Sequence, residues 1–306
     1  MIRFIFKRLM TAIPTMFVII TVAFFLMRLA PGGPFSLERP LPPQVLANLM
    51  AYYHLDQPLW AQYLDYLKGL FTGHLGPSYV YRDFTVDELL LDGLPVSVQL
   101  GLSALVLATL IGCTLGTIAA LRQNRAADYG VMTIALIGIV VPNFVMAPAL
   151  TLLFSIHLGW LPAGGWGEGA LVNKILPIFA LALPQIAVIS RLTRGSMIEV
   201  MRSNHIRTAL AYGLPQRVVI GRALRGALLP VVSYLGPAAA ALLTGSVVIE
   251  SIFGVPGIGR HFVQGALNRD YTLVMGTVVT VAVFVVVFNL VVDILYAWLD
   301  PKVRLD

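Results

Sequence analysis

An all-α membrane protein crossing the bilayer about six times is the fold class the sequence predicts, and three observations predict it. Hydrophobic residues make up 58% of the 306 and charged residues only 12%, against roughly 25% charged in ordinary soluble domains. Several uncharged runs reach the length of about 20 residues that a helix needs to cross a bilayer. The mean hydropathy is +0.83, so the solvent to reason with is lipid.

Each element follows from this reading. Residues 1–30 open with Arg3, Lys7 and Arg8 and continue uncharged from Leu9 to Met27. The run has the length of a span rather than of a signal core, and no small-x-small cleavage pattern follows it, so it reads as a retained first helix with a cytoplasmic start. Pro31-Gly32-Gly33-Pro34 breaks any helix, and residues 31–95 form a polar external insertion. It holds seven acids, Glu38, Asp56, Asp65, Asp83, Asp87, Glu88 and Asp92, and the Tyr and Leu spacing across 59–70 predicts short helices on the outer surface.

A five-helix core is expected over 96–300. Its spans fall at about 96–121, 130–157, 175–190, 228–249 and 271–294. Pro142 and Pro148 should kink the third span, and Pro177 and Pro184 lie in the fourth. Between spans lie a Gly-rich link at 159–169, an arginine-rich cytoplasmic loop at 191–227 and an outer loop at 250–270. Residues 301–306 form a cytoplasmic tail.

The net charge of +6 and pI near 9.6 admit two explanations. Nucleic-acid binding is one; the other is the excess of Lys and Arg on cytoplasmic loops. The distribution favours the second. Arg3, Lys7, Arg8, Arg122, Arg125, the seven arginines between Arg191 and Arg225, Lys302 and Arg304 fall on the proposed inner side, which is fourteen of the 21 basic residues. Both termini are then cytoplasmic, and nucleic acid is not a partner. The single cysteine, Cys113, forms no intramolecular disulfide and reads as a packing residue.

Few residues invite chemistry. Ala108, Gly112, Gly116 and Ala120 recur every fourth residue on one helix face, as at a close helix contact in lipid; contact within the chain is the plain reading and contact with a partner subunit the other. Glu250 and Asp293 are acids at the margins of spans, where water and headgroups can solvate them, which weakens a proton-relay role. The histidines lack the i, i+4 spacing of a metal pair. Ser246 with His157 or His261 would make an intramembrane protease only if the fold joined them. No Gly-Lys-Ser/Thr is present to cradle nucleotide phosphates, so any ATP hydrolysis belongs to another chain.

The strongest local signal is Arg202-Ser203-Asn204-His205-Ile206-Arg207-Thr208-Ala209-Leu210-Ala211-Tyr212-Gly213-Leu214-Pro215. Ser203 or Asn204 suits a helix N-cap, Gly213 the left-handed position after a helix end, and Pro215 prevents continuation. Ile206, Ala209, Leu210 and Gly213 share one small, apolar face of a short helix. That face needs either a partner's groove or the inner leaflet of the membrane.

Residues 206–214, followed by Arg222-Ala223-Leu224-Arg225-Gly226-Ala227-Leu228-Leu229-Pro230, resemble the coupling-helix region of ABC importer permeases of the dipeptide and oligopeptide class. The resemblance runs through the chain. It includes Arg28-Leu29-Ala30-Pro31-Gly32, Leu55-Asp56-Gln57-Pro58 with Gln62-Tyr63, Gly73-His74-Leu75-Gly76-Pro77-Ser78 and Arg194-Gly195-Ser196-Met197. Further on come Glu250-Ser251-Ile252-Phe253-Gly254-Val255-Pro256-Gly257-Ile258-Gly259, Asn268-Arg269-Asp270-Tyr271 and Asp300-Pro301-Lys302. It is most similar to the B-type membrane subunits of oligopeptide permeases. The generic importer loop carries Glu-Ala-Ala with Gly after three residues; Gly213 fits that glycine, while Arg207 stands in place of the acid, a departure usual in the peptide subclass.

The resemblance implies a type I ABC importer permease fold in a bacterial inner membrane, with a second permease subunit, two ATP-binding subunits and an extracytoplasmic peptide-binding protein. No cofactor would belong to this chain, ATP and Mg residing on the partners. Asn204, Ile206, Arg207, Thr208, Ala209, Leu210, Ala211, Gly213 and Leu214 would form the ATPase-coupling helix, its apolar face docked in a groove of one ATPase. Gly254, Pro256, Gly257, Ile258 and Gly259 would meet the binding protein. The alternatives are a proton-coupled secondary transporter, or an ABC importer of dipeptides, nickel chelates or antimicrobial peptides.

Overall fold

The computed structural model describes residues 2–29, 32–35, 41–81 and 83–299. The tail at 301–306 and the Asp300-Pro301-Lys302 motif lie outside them. The described residues form twelve α-helices, a seven-residue π-helix at Thr151–His157 and a 3-10 turn at Gly167–Gly169.

Helix α1 covers Ile2–Leu29, α2 Pro43–Tyr52, α3 Leu59–Thr72 and α4 Val86–Leu121. α4 begins well ahead of the span expected from residue 96. Thr85 and Glu88 close a capping box, the Thr85 N–H donating to Glu88 Oε2 at 2.9 Å and the Glu88 N–H to Thr85 Oγ1 at 3.4 Å, so two orphan amides are satisfied at the earlier start.

Helices α5 (Ala126–Val140) and α6 (Asn143–Leu150) replace the kinked third span. The bend between them, continued through the π-helix, is 109°. Val141 before Pro142 is extended (φ −79°, ψ 117°), as steric conflict with the proline ring requires. Pro148 offers no N–H to the turn behind it, and the backbone widens into the π-helix directly after it.

Helix α7 runs unbroken from Leu171 to Met201, through Pro177 and Pro184, and carries the fourth span on into the arginine-rich loop. Short helices α8 (Asn204–Ala211) and α9 (Gln216–Ala227) follow, then α10 (Leu229–Phe253), α11 (Ile258–Leu267) and α12 (Tyr271–Leu299). Four helices are long and apolar enough to cross a membrane, or up to six spans if the two bent pairs, α5 with α6 and α9 with α10, each count as one. This bears out the expected all-α polytopic fold.

The chain divides into two compact units, with boundaries inside α1, α4 and α12. The first holds Val98–Val255 with the chain ends up to Arg8 and from Phe284. α7 is its centre and packs against α5, α6, α9 and α10. The small face of α4 also packs here: a Cβ on Gly112 would stand 2.8 Å from the Ile189 Cβ, and one on Gly116 would stand 2.6 Å from the Thr193 Cβ. The small residues therefore serve a contact within the chain. The second unit, Leu9–Ser97 with Pro256–Val283, is centred on Val86, Leu89, Leu90, Ile258 and Leu273.

Candidate functional site

The loop after α7 builds its short helix from backbone geometry. Ser203 takes the N-cap conformation (φ −72°, ψ 157°), yet its hydroxyl donates to the Val200 carbonyl at 2.6 Å and meets the His205 ring at 3.0 Å instead of capping a first-turn amide. Asn204 is the first helical residue. At the other end Gly213 has φ +69°. Its N–H donates to the Leu210 carbonyl at 2.9 Å, and the Leu214 N–H donates to the Ala209 carbonyl at 3.2 Å. These two bonds form a Schellman motif, which needs the left-handed residue that glycine supplies most readily. Pro215 then stands at the N-cap of α9, so the turn is fixed from both sides.

The orientation of α8 corrects the expected docking face. Ile206 and Ala209 are buried in a cluster with Met197 of α7 and with Val219, Ala223 and Ala227 of α9, and Leu214 packs against that cluster. Two turns of helix are too short to be stable alone, so α8 uses these apolar positions to hold to its own chain. Asn204, Arg207, Thr208, Ala211 and Gly213 are left exposed, with Leu210 at 51% and Tyr212 at 82% exposure. The outward face is therefore mixed and polar, and Leu210 and Gly213 are the members of the expected apolar face that remain on it.

An ion pair that sequence reading missed joins α7, on which α8 packs, to α5. Arg194 of α7 donates from Nε to Asp128 Oδ1 at 2.5 Å and from Nη2 to Oδ2 at 2.7 Å. Asp128 also accepts the Asn124 N–H at 2.9 Å and sits in the first turn of α5, where the helix dipole favours an anion. Its side chain is 2% exposed. The only visible signal was an acid bordering an otherwise basic stretch, which charge counting treats as a loop residue.

The expected external contact residues divide. Gly254 ends α10 in the left-handed region (φ +65°) and is exposed, and Pro256 is half-buried. Gly257, Ile258 and Gly259 are buried; the Ile258 N–H donates to Ser97 Oγ at 2.9 Å, and a Cβ on Gly93 would approach Ile258 N to 3.0 Å. These three therefore build the interior of their unit. Two motifs of the resemblance also meet there. Ser78 Oγ donates to Asp270, as do the Tyr79 and Val80 amides, and Asp270 in turn accepts the Leu273 N–H at 3.2 Å at the start of α12. Burial pushes the nearby Tyr79 phenol up to about 12, so this ring stays neutral.

The two acids at span margins also separate. Glu250 is fully buried, contrary to the solvated position expected of it, because α10 continues beyond it to Phe253. Asp293 pairs with Arg8 at 3.0 Å. Ser246 donates to the Leu243 carbonyl and His157 contacts the Leu152 carbonyl, so each is engaged with its own helix.

Comparison with known proteins agrees with this architecture. Residues 112–305 match the family of binding-protein-dependent transport system inner membrane components, and residues 1–101 match its N-terminal region. The oligopeptide transport system permease protein OppB of Salmonella typhimurium is 56% identical over 99% of this chain and 100% of its own length, and that of Haemophilus influenzae 53% over the same shares. The dipeptide transport system permease protein DppB of Bacillus subtilis is 44% identical over 100% of this chain and 99% of its own. Among solved structures, an amino acid ABC transporter crystallised with histidines aligns with a TM-score of 0.52 at 16% identity, covering 71% of this chain and 94% of that one, a likeness of fold alone.

Proposed function

We propose, on the premise that this chain belongs to the family of binding-protein-dependent transport system inner membrane components, that it is the membrane-spanning subunit of an ATP-driven importer moving oligopeptides into the cytoplasm by alternating access. The observation that carries the reading is the match to OppB permeases at 53% and 56% identity over 99% of this chain and 100% of theirs. Within this reading the chain is a transport subunit of a bacterial inner membrane. A second permease subunit, two ATPases that bind ATP and Mg, and an external peptide-binding protein complete the complex.

The geometry supports a specific route for force. α8 offers an outward face, including Arg207, Thr208, Leu210, Ala211 and Tyr212, to one ATPase. Its inward face is packed on the end of α7 through Ile206 and Met197. Close-packed side chains transmit displacement rather than absorb it, so movement of α8 on ATP binding displaces α7. The Asp128–Arg194 pair carries the displacement on to α5.

Both termini cytoplasmic is the orientation this reading takes, on the distribution of Lys and Arg, and loop proximity supports the pairing of loops on each side. Arg202 donates to Gln123 at 3.3 Å, which joins two basic loops assigned inside. The Gly165 N–H donates to the Phe253 carbonyl at 2.6 Å, which joins two loops assigned outside. The exposed Gly254 then faces the binding protein.

Vesicles containing the purified complex and the binding protein test the proposal. Labelled oligopeptide should accumulate only when ATP is supplied on the ATPase side. Uptake that follows a proton gradient and ignores ATP would establish the secondary-transporter alternative instead.

A further inference from the structure

Helix α3 turns its apolar side chains outward. Trp60, Leu64 and Phe71 lie within about 40° of one another around the helix axis and are 66%, 55% and 90% exposed. The side bearing Gln62 and Tyr66, with Tyr63 at its edge, faces α1. Arg28 Nε donates to Gln62 Oε1 at 2.7 Å, the Tyr63 and Thr21 hydroxyls are 2.6 Å apart, and the Tyr63 and Tyr66 rings lie 5.2 and 5.8 Å from Phe24. In water this arrangement would leave three large apolar side chains hydrated beside the exposed Asp65 and Lys68, while Gln62, Tyr63 and Tyr66 pack inward, which is not how a soluble amphipathic helix divides its faces.

Two observations identify what covers the ridge. Residues Met10–Leu29 of α1 form a membrane-length span with only 6% of its window buried inside the protein. Thr21 lies eight residues before the end of that span, about 12 Å along the axis at 1.5 Å per residue, and Arg28 one residue before it, so the Tyr63 and Gln62 contacts hold α3 against the outer part of the span. In addition, Val22, Leu26 and Leu29 of α1 are 50%, 65% and 71% exposed on the face beside the α3 contact, so α1 presents large apolar side chains outward next to α3.

We infer that α3 is an interfacial helix embedded in the outer leaflet, with Trp60, Leu64 and Phe71 among the acyl chains. The exposed Lys68 stands on the flank of the ridge, where its ammonium reaches the phospholipid phosphates. The insertion at 31–95 is then not wholly outside the membrane. The inference rests on the chain spanning a bilayer and not on what drives transport.

The assembled complex in lipid nanodiscs provides the test. Trp160→Phe, Trp166→Phe and Trp298→Phe together leave Trp60 as the only tryptophan of this chain, and Trp→Phe changes in the partner chains isolate its emission. Phospholipids brominated along the acyl chain should then reduce that emission at least twofold, and aqueous iodide should leave it nearly unchanged. Quenching by iodide alone would put the ridge in water, and protection from both quenchers would put it against a protein partner; either result overturns the inference.

Nitroxide labels serve if the tryptophan variants do not assemble. In a Cys113→Ser background, labels at Leu64→Cys and Phe71→Cys should be broadened by oxygen more than by a water-soluble nickel chelate, with the order reversed at Asp65→Cys and Thr72→Cys. The chelate dominating at 64 and 71, or neither agent acting there, contradicts lipid contact.

Discussion

In the proposed coupling role, the backbone angle of Gly213 decides whether the loop transmits force. A Cβ at this position would meet nothing within 4 Å, so any substitution acts through its φ of +69° and not through a clash. The left-handed conformation costs a non-glycine residue about 1–2 kcal/mol, least for Asn. Gly213→Val should therefore uncouple the complex, lowering peptide uptake about tenfold while ATP hydrolysis and membrane insertion persist, and Gly213→Asn should retain most of the uptake. Equal behaviour of the two variants would show that the turn does not matter.

Asp128 and Arg194 make a second prediction at the same scale. Replacing Asp128 with Asn removes the charge from two hydrogen bonds to Arg194, a loss of about 2–3 kcal/mol for bonds of this kind. The complex should denature at a lower temperature in detergent. The exchanged pair, Asp128→Arg with Arg194→Asp, should recover only part of the loss. Asp128 also accepts the Asn124 amide and sits at a helix N-terminus, and neither position suits a cation. Full recovery would mean that the charges act on each other alone.

Among the elements, the proposed coupling role of α8 divides between its two faces. Ile206→Ala removes buried volume from the cluster with Met197, Val219 and Ala223, and such truncations cost about 2–5 kcal/mol. The anchor should loosen, so that ATP hydrolysis continues and uptake falls. Leu210→Ala, on the exposed side, should leave the thermal stability of the chain unchanged and weaken association with the ATPase, read by copurification. Gly112→Leu tests the other close contact. Its Cβ would fall 2.8 Å from Ile189, and overpacking of this kind costs about 1–3 kcal/mol, so a lower denaturation temperature is expected.

These elements also show where the sequence is legible. Apolar run length locates the spans because lipid imposes it. Gly213 and Pro215 locate the end of α8 because their backbone preferences are local. The facing of α8 was not legible: the same apolar stripe serves a partner's groove or the chain's own core, and only the approach of Val219 and Ala223 from α9 decides between them. The burial of Gly257, Ile258 and Gly259 was hidden for a similar reason, since glycines in a loop look alike whether they face water or admit a neighbouring backbone such as that of Gly93. The 109° turn at Pro142 exceeds the kink that proline alone implies, because Val141 also leaves the helical region.

At the scale of the whole molecule, the first unit is a set of helices packed around α7, with the motor supplied by another chain. α7 touches the elements on both sides of the proposed force path, α8 and α9 at its end and α5, α6 and α10 along its length. Displacing one end therefore alters the packing of the rest, as a two-state change between inward-facing and outward-facing cavities requires.

The proposed contact between α8 and the motor can be tested directly by cross-linking. Tyr212 is 82% exposed, so Tyr212→Cys in a Cys113→Ser background offers a thiol on the outward face of this turn. In the assembled complex it should form a cross-link to an ATPase subunit, with peptide uptake lost on cross-linking and regained on reduction. A thiol that stays freely reactive in a transporting complex, and never joins the ATPase, would contradict the account.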